Sequence, residues 1–84
     1  MKTLTAISEI EETARLLGWS FSRDGDNVVM WRGAQSIQAR LSVAGGVVEA
    51  RRYKFFRVDD LRLEGIAHGK NKRTTVVAWL AADW

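Results

Sequence analysis

Cysteine is absent from this 84-residue chain, and its absence excludes two common ways of stabilising a small protein. Without thiols the chain forms neither a disulfide framework nor a zinc–thiolate site. Stability must come from packing, for which 46% of the residues, four tryptophans among them, are hydrophobic. We expect one compact domain over residues 1–84 in a reducing, cytoplasmic environment.

Long apolar runs are missing as well. No stretch approaches the roughly 20 consecutive apolar residues that a membrane-spanning helix needs. The N-terminal segment "MKTLTAISEIEETARLL" is interrupted by five charged side chains and lacks the apolar centre of a signal peptide. The sequence therefore predicts a soluble protein without a membrane partner.

Groups that carry catalysis or bind metals are scarce. His68 is the only histidine, so a Ser–His–Asp arrangement or a transition-metal site would depend on it alone. The pairs Asp24/Asp26 and Asp59/Asp60 are typical of turns and helix caps, and "DGDN" is too short for a calcium-binding loop. We expect a protein that is not an enzyme and has no catalytic residue, metal site or cofactor.

Proline is also absent, so glycines mark the ends of the elements. Before Gly18, apolar residues recur every three or four positions and predict an amphipathic helix: Leu4, Ile7, Ile10, Ala14 and Leu17. Thr3 or Thr5 is suited to cap its start, and "SEIE" offers a capping box at Ser8. Gly18 supplies the left-handed residue that ends a helix.

After Gly18 the apolar period changes to two, which predicts strands. "WSFSR" and "VVMWR" flank "DGDN", a strong hairpin turn. "SIQARLSV" alternates apolar and polar residues, and Gly45-Gly46 closes a second hairpin into "VVEARRYKFF". The fold class is therefore α+β, with one N-terminal amphipathic helix packed on an antiparallel meander of five to six strands.

The last third of the chain fits two structures. In the first, "HGKNKR" is the tip of a third hairpin in which Leu61, Leu63 and Ala67 oppose Thr75, Val77 and Trp79. In the second, a short terminal helix contains Val76, Val77, Leu80 and Trp84. The β-branched run "TTVV" favours the strand, and an exposed edge strand here makes a homodimer through the C-terminal segment possible.

Positive charge is concentrated after residue 30. Residues 1–30 carry three basic and five acidic side chains, whereas residues 31–84 carry ten basic and five acidic side chains. The cations cluster in "ARRYKFFRV", residues 50–58, and in "HGKNKR", residues 68–73. This asymmetry favours an anionic partner.

"ARRYKFFRV" mixes four cations with three aromatic residues. As a strand it places Arg51, Tyr53, Phe55 and Arg57 on one face, and Arg52, Lys54, Phe56 and Val58 on the other. The first face has two aromatic side chains between two guanidinium groups, which suits base stacking and phosphate contact. Alternatively, Tyr53 and Phe55 pack beneath the helix while the neighbouring cations extend to water.

Two functional hypotheses follow. The first is a non-enzymatic nucleic-acid-binding module whose affinity falls steeply with salt. Its candidate contacts are Arg51, Arg52, Tyr53, Lys54, Phe55, Arg57, Lys70, Lys72 and Arg73. It requires the two basic clusters to fold into one continuous surface. The alternative is a protein-binding module, an inhibitor or accessory factor of the type that phages and plasmids encode, docked on an acidic partner protein.

Overall fold

A computed structural model describes residues 5–57 and 59–82. Within them lie two helices and one antiparallel sheet of five strands in sequence order. The elements are α1 (Ala6–Leu16), β1 (Ser20–Asp24), β2 (Asn27–Arg32), β3 (Gln35–Leu41), β4 (Val47–Arg57), β5 (Asp60–Ile66) and α2 (Lys72–Ala81). The predicted α+β class, with an N-terminal helix and an antiparallel meander, is confirmed. Thr3, Leu4, Val58 and Trp84, which entered the sequence predictions, lie outside the described residues.

Helix α1 begins after Thr5, whose hydroxyl oxygen accepts a hydrogen bond from the backbone N–H of Ser8 at 3.2 Å. Thr5 is therefore the N-cap, as one of the predicted alternatives has it. The alternative N-cap, Ser8, is wrong because it lies within the first turn of the helix. Gly18 follows the helix with φ +81°, the left-handed conformation expected of it. The predicted stripe is buried at Ile7, Ile10 and Ala14.

The two predicted hairpins are present. Asp24 pairs with Asn27 across a two-residue turn, and Gly25 has φ +59°, as the first position of a type II′ turn requires. In the β3–β4 hairpin, Gly45 has φ +85° and its carbonyl accepts a hydrogen bond from Ile7 N–H at 3.2 Å. This bond ties the hairpin to the first turn of α1.

The third predicted hairpin is wrong, because residues 72–81 form a helix. Val76, Trp79 and Leu80 lie on one side of α2 and are buried, and this burial outweighs the strand preference of "TTVV". The indole N–H of Trp19 donates a hydrogen bond to the Leu80 carbonyl at 3.0 Å. The edge strand on which the homodimer prediction depended does not form in this segment. β5 pairs with β4 on one side and is an edge of the sheet among the described strands.

Both helices pack on the same face of the sheet. The core joins sheet residues, Val28, Met30, Ile37, Ala39, Leu41 and Ala50, to helix residues, Ile7, Ile10, Ala14, Val76, Trp79 and Leu80. Because side chains alternate along a strand, the remaining ones point to the opposite side, which no described element covers. We call these sides the helix-covered face and the open face. Neither described helix is long and apolar enough to cross a lipid bilayer.

Candidate binding surface on the open face of the sheet

The register of the sheet arranges the side chains of the open face in rows across the strands. The first row joins four directly paired residues of β2 to β5: Trp31, Ser36, Tyr53 and Leu63. The second row is formed in the same way by Val29, Gln38, Arg51 and Ile66. A third row contains Asn27, Arg40 and Glu49, and beyond the first row Phe55 pairs with Leu61.

The first row and its neighbour Phe55 bring three aromatic side chains to the open face. Trp31 is 44% exposed and Phe55 is 43% exposed, while Tyr53 is half-buried. Ser36, which lies between Trp31 and Tyr53, is buried because the larger side chains on both sides shield it. The aromatic groups are therefore supported by the sheet and accessible from solvent.

The third row and Arg51 form a small ionic network. One carboxylate oxygen of Glu49 lies 2.8 Å from Arg51 Nη2, and the other lies 3.4 Å from Arg40 Nη2. Both guanidinium groups remain about half exposed. Two cations that share one carboxylate leave one net positive charge beside the aromatic groups.

A shallow hollow of about 300 Å³ lies between the aromatic row and this network. Tyr53 lines one end, and Gln38 of the central strand and its partner Arg51 line the middle. Asn27, Arg40 and Glu49 of the third row line the other end. The hollow is therefore a polar depression beside an aromatic platform.

Arg51, Tyr53 and Phe55 lie together on the open face, as their alternation in the sequence predicts. The alternative, in which Tyr53 and Phe55 pack beneath the helix, is wrong because both helices cover the other face. The register of β4 and β5 shifts between Phe55 and Arg57, and Arg57 pairs with Asp60 at the end of the hairpin. Asp60 directly precedes Leu61 and therefore points to the opposite side of the sheet. The prediction that Arg57 shares a face with Tyr53 and Phe55 is wrong, because the irregularity at Phe56 reverses the alternation.

Arg52 and Lys54 lie on the helix-covered face. The guanidinium carbon of Arg52 is 5.4 Å from the centroid of a Trp79 ring, so this side chain packs beneath α2. Lys54 pairs with Gln35 on one side and with Arg62 on the other. The alternation in the sequence predicts this placement on the face opposite Tyr53, and the structure agrees. These two candidate contacts therefore do not belong to one surface with Tyr53.

The second basic cluster is in the helix layer. Lys70 precedes α2, Lys72 donates a hydrogen bond from Nζ to the Gly69 carbonyl, and Arg73 Nε lies 2.7 Å from Glu9 Oε1 of α1. These cations are separated from Tyr53 by the sheet. The predicted continuous surface does not form, because the chain after β5 folds back as a helix and not as an extended hairpin.

Trp31, Gln38 and Arg40 belong to the open face although they were not among the predicted contacts. The alternation of "SIQARLSV" places Gln38 and Arg40 on the polar side of β3. The sequence does not predict the face of Trp31. Residues 28–31 are all apolar, so no alternation of polar and apolar side chains tells the two faces of β2 apart.

The described residues contain no group of three or more His, Cys, Asp or Glu side chains placed to hold a metal ion. The surface offers stacking, hydrogen bonding and ion pairing. In comparisons with known proteins, no family model, curated protein or solved structure matches the chain.

Proposed function

We propose that the open face binds single-stranded nucleic acid. The observation that carries this proposal is the placement of exposed Trp31 and Phe55 and half-buried Tyr53 on one sheet face, beside Arg40 and Arg51. Bases stack on aromatic side chains irrespective of their identity, and each stacked base contributes about 1–3 kcal/mol by alanine substitution. The arginines supply contacts to the phosphates.

The balance of aromatic groups and cations favours a single strand over a duplex. Bases inside a duplex already stack on each other and are not accessible to a flat sheet face. Duplex binding depends mainly on the number of neutralised phosphates, and the open face has two central arginines that share Glu49. Stacking therefore supplies most of the binding free energy.

This division of contacts revises the expected salt dependence. Each neutralised phosphate of a single strand adds about −0.7 to the slope of log K against log salt concentration. Contacts from Arg40 and Arg51 alone give a slope of about −1.4, and the shared carboxylate of Glu49 makes it shallower. Seven phosphate contacts, as in the sequence-based hypothesis, would give a slope of about −5.

The test is fluorescence anisotropy with labelled single strands of about 12 nucleotides, in DNA and RNA forms, and with a duplex of the same sequence. Arg51→Gln and Lys70→Gln each remove one positive charge, from the open face and the helix layer respectively. We expect Arg51→Gln to weaken single-strand binding several-fold and Lys70→Gln to leave it within twofold. Undetectable single-strand binding at low salt, or equal losses in the two variants, would contradict the proposal.

A specific feature supports a second candidate function, protein binding. Leu61, Leu63 and Ile66 of β5 are 42%, 50% and 39% exposed and continue the aromatic row toward the edge of the sheet. Contiguous exposed apolar side chains mark protein interfaces, and Arg40 and Arg51 suit an acidic group on the partner. A protein that is retained after nuclease treatment, and lost on Leu63→Ser but not on Lys70→Gln, would favour this function.

A further inference from the structure

The hollow beside Tyr53 has room for one ligand group of limited size. Its volume of about 300 Å³ is at the lower limit of small-molecule pockets, and the sheet backbone forms its floor. A single base of a bound strand fits such a depression. This inference rests on the function proposed above and concerns the same surface.

The polar groups around the hollow differ in their availability. Arg51 and Arg40 are both engaged by Glu49, at 2.8 and 3.4 Å. Gln38 is exposed and makes no side-chain hydrogen bond within the described part of the chain. Asn27, the other amide that lines the hollow, lies in the third row, two rows from Tyr53. The Gln38 amide, which has both a donor and an acceptor, lies in the row next to Tyr53 and is therefore the one placed to pair with a base stacked there.

At the N7 edge of the purines, an amide of this kind distinguishes adenine from guanine. The side chain of Gln or Asn forms two hydrogen bonds with adenine, donating to N7 and accepting from the N6 amino group. Guanine has O6 where adenine has that amino group, so the same amide makes one good bond and one repulsive contact. An arginine that reads guanine presents two N–H groups to its O6 and N7, and the ion pair with Glu49 at 2.8 Å holds the Nη2 end of Arg51.

We infer that the hollow is a subsite for one adenine base, in which Tyr53 stacks on the ring and the Gln38 amide reads its N6/N7 edge. The remaining aromatic groups, Trp31 and Phe55, stack neighbouring bases without selecting among them. The bound strand is then held by sequence-independent stacking and selected at one position.

The experiment uses the full chain and four labelled single strands of about nine nucleotides, identical pyrimidine sequences apart from one central base. Anisotropy titrations compare the wild type with Gln38→Ala and with Asn71→Ala, which removes an exposed amide from the helix layer. We expect adenine to be preferred over each other base by about fivefold or more. Gln38→Ala should reduce the preference to within twofold and leave affinity for the all-pyrimidine strands unchanged, while Asn71→Ala keeps the preference.

The outcomes separate this inference from the proposed function. Equal affinity for the four strands, or an adenine preference that survives Gln38→Ala, overturns the adenine subsite and leaves single-strand binding in place. A preference for another base that Gln38→Ala removes also overturns it, since the amide would then read a different edge. Absence of binding to all four strands overturns the subsite together with the proposed function.

Discussion

Two of the four tryptophans, Trp19 and Trp31, belong to opposite faces of the sheet, and replacing each by alanine separates stability from binding. Trp19 is 4% exposed, its indole N–H donates to the Leu80 carbonyl at 3.0 Å, and the guanidinium carbon of Arg32 lies 4.8 Å from its ring centroid. Trp31 is 44% exposed and faces Ser20 and Ser36 across the strands. The two substitutions remove the same atoms from different surroundings.

The expected magnitudes differ accordingly. Truncation of a buried aromatic residue costs about 3–5 kcal/mol, and the lost hydrogen bond is worth about 1 kcal/mol. The free energy of unfolding of a domain of this size is itself only about 4–13 kcal/mol. Trp19→Ala should therefore leave the chain marginally stable or unfolded. Trp31→Ala loses cross-strand contacts worth about 1 kcal/mol at most, and it should weaken single-strand binding by about 1–3 kcal/mol, or roughly 5- to 150-fold.

Urea denaturation followed by circular dichroism measures the free energy of unfolding, and anisotropy with a labelled single strand measures binding. We expect the folded fraction of Trp31→Ala to match the wild type at low urea while its affinity is reduced. A loss of stability in Trp31→Ala comparable to that in Trp19→Ala would contradict the assignment of Trp31 to the open face. Unchanged affinity in a folded Trp31→Ala variant would contradict its role in stacking.

Three further predictions concern the fold and are measured by urea denaturation. Thr5→Ala should lower the free energy of unfolding by about 1 kcal/mol, because it removes the N-cap of α1; no change would mean that the cap is not used. Gly25→Ala should lower the free energy of unfolding by about 1–2 kcal/mol because the φ angle of Gly25 is +59°. The control, Gly46→Ala, changes a glycine without positive φ and should lower it less. Equal losses would contradict the role of positive φ in the turn. A double-mutant cycle on Glu9 and Arg73 should give a coupling energy below about 1 kcal/mol, since both side chains are more than a third exposed; a larger value would show a stronger link between the helices.

The elements that were predicted correctly have strong local signals. The stripe ending at Gly18 and the "DGDN" turn are encoded within a few residues, and both are present. Residues 72–81 lack such a signal, since the β-branched "TTVV" favours a strand while burial of Trp79 and Leu80 against α1 and β4 favours a helix. That burial depends on contacts with distant segments, such as the bond from Trp19 to the Leu80 carbonyl.

The candidate site was predictable to a similar extent. Alternation placed Arg51, Tyr53 and Phe55 on one side of β4, and the structure agrees. Which side of the sheet the helices cover is decided by tertiary packing, and the periodicity of a single strand carries no information about it. The separation of Lys70–Arg73 from this surface has the same cause, because it follows from the helical path of the chain after β5.

Nitrogen–proton correlation NMR during titration with an unlabelled single strand tests the role of the open face most directly. The Trp31 indole N–H and the Gln38 amide side chain should shift on binding, together with the backbone amides of Arg51 and Tyr53. The indole N–H of Trp19, which is buried and bonded to Leu80, should stay in place. Shifts confined to Lys70–Arg73 and α1, or no shifts at saturating strand concentration, would contradict the assignment of binding to the open face.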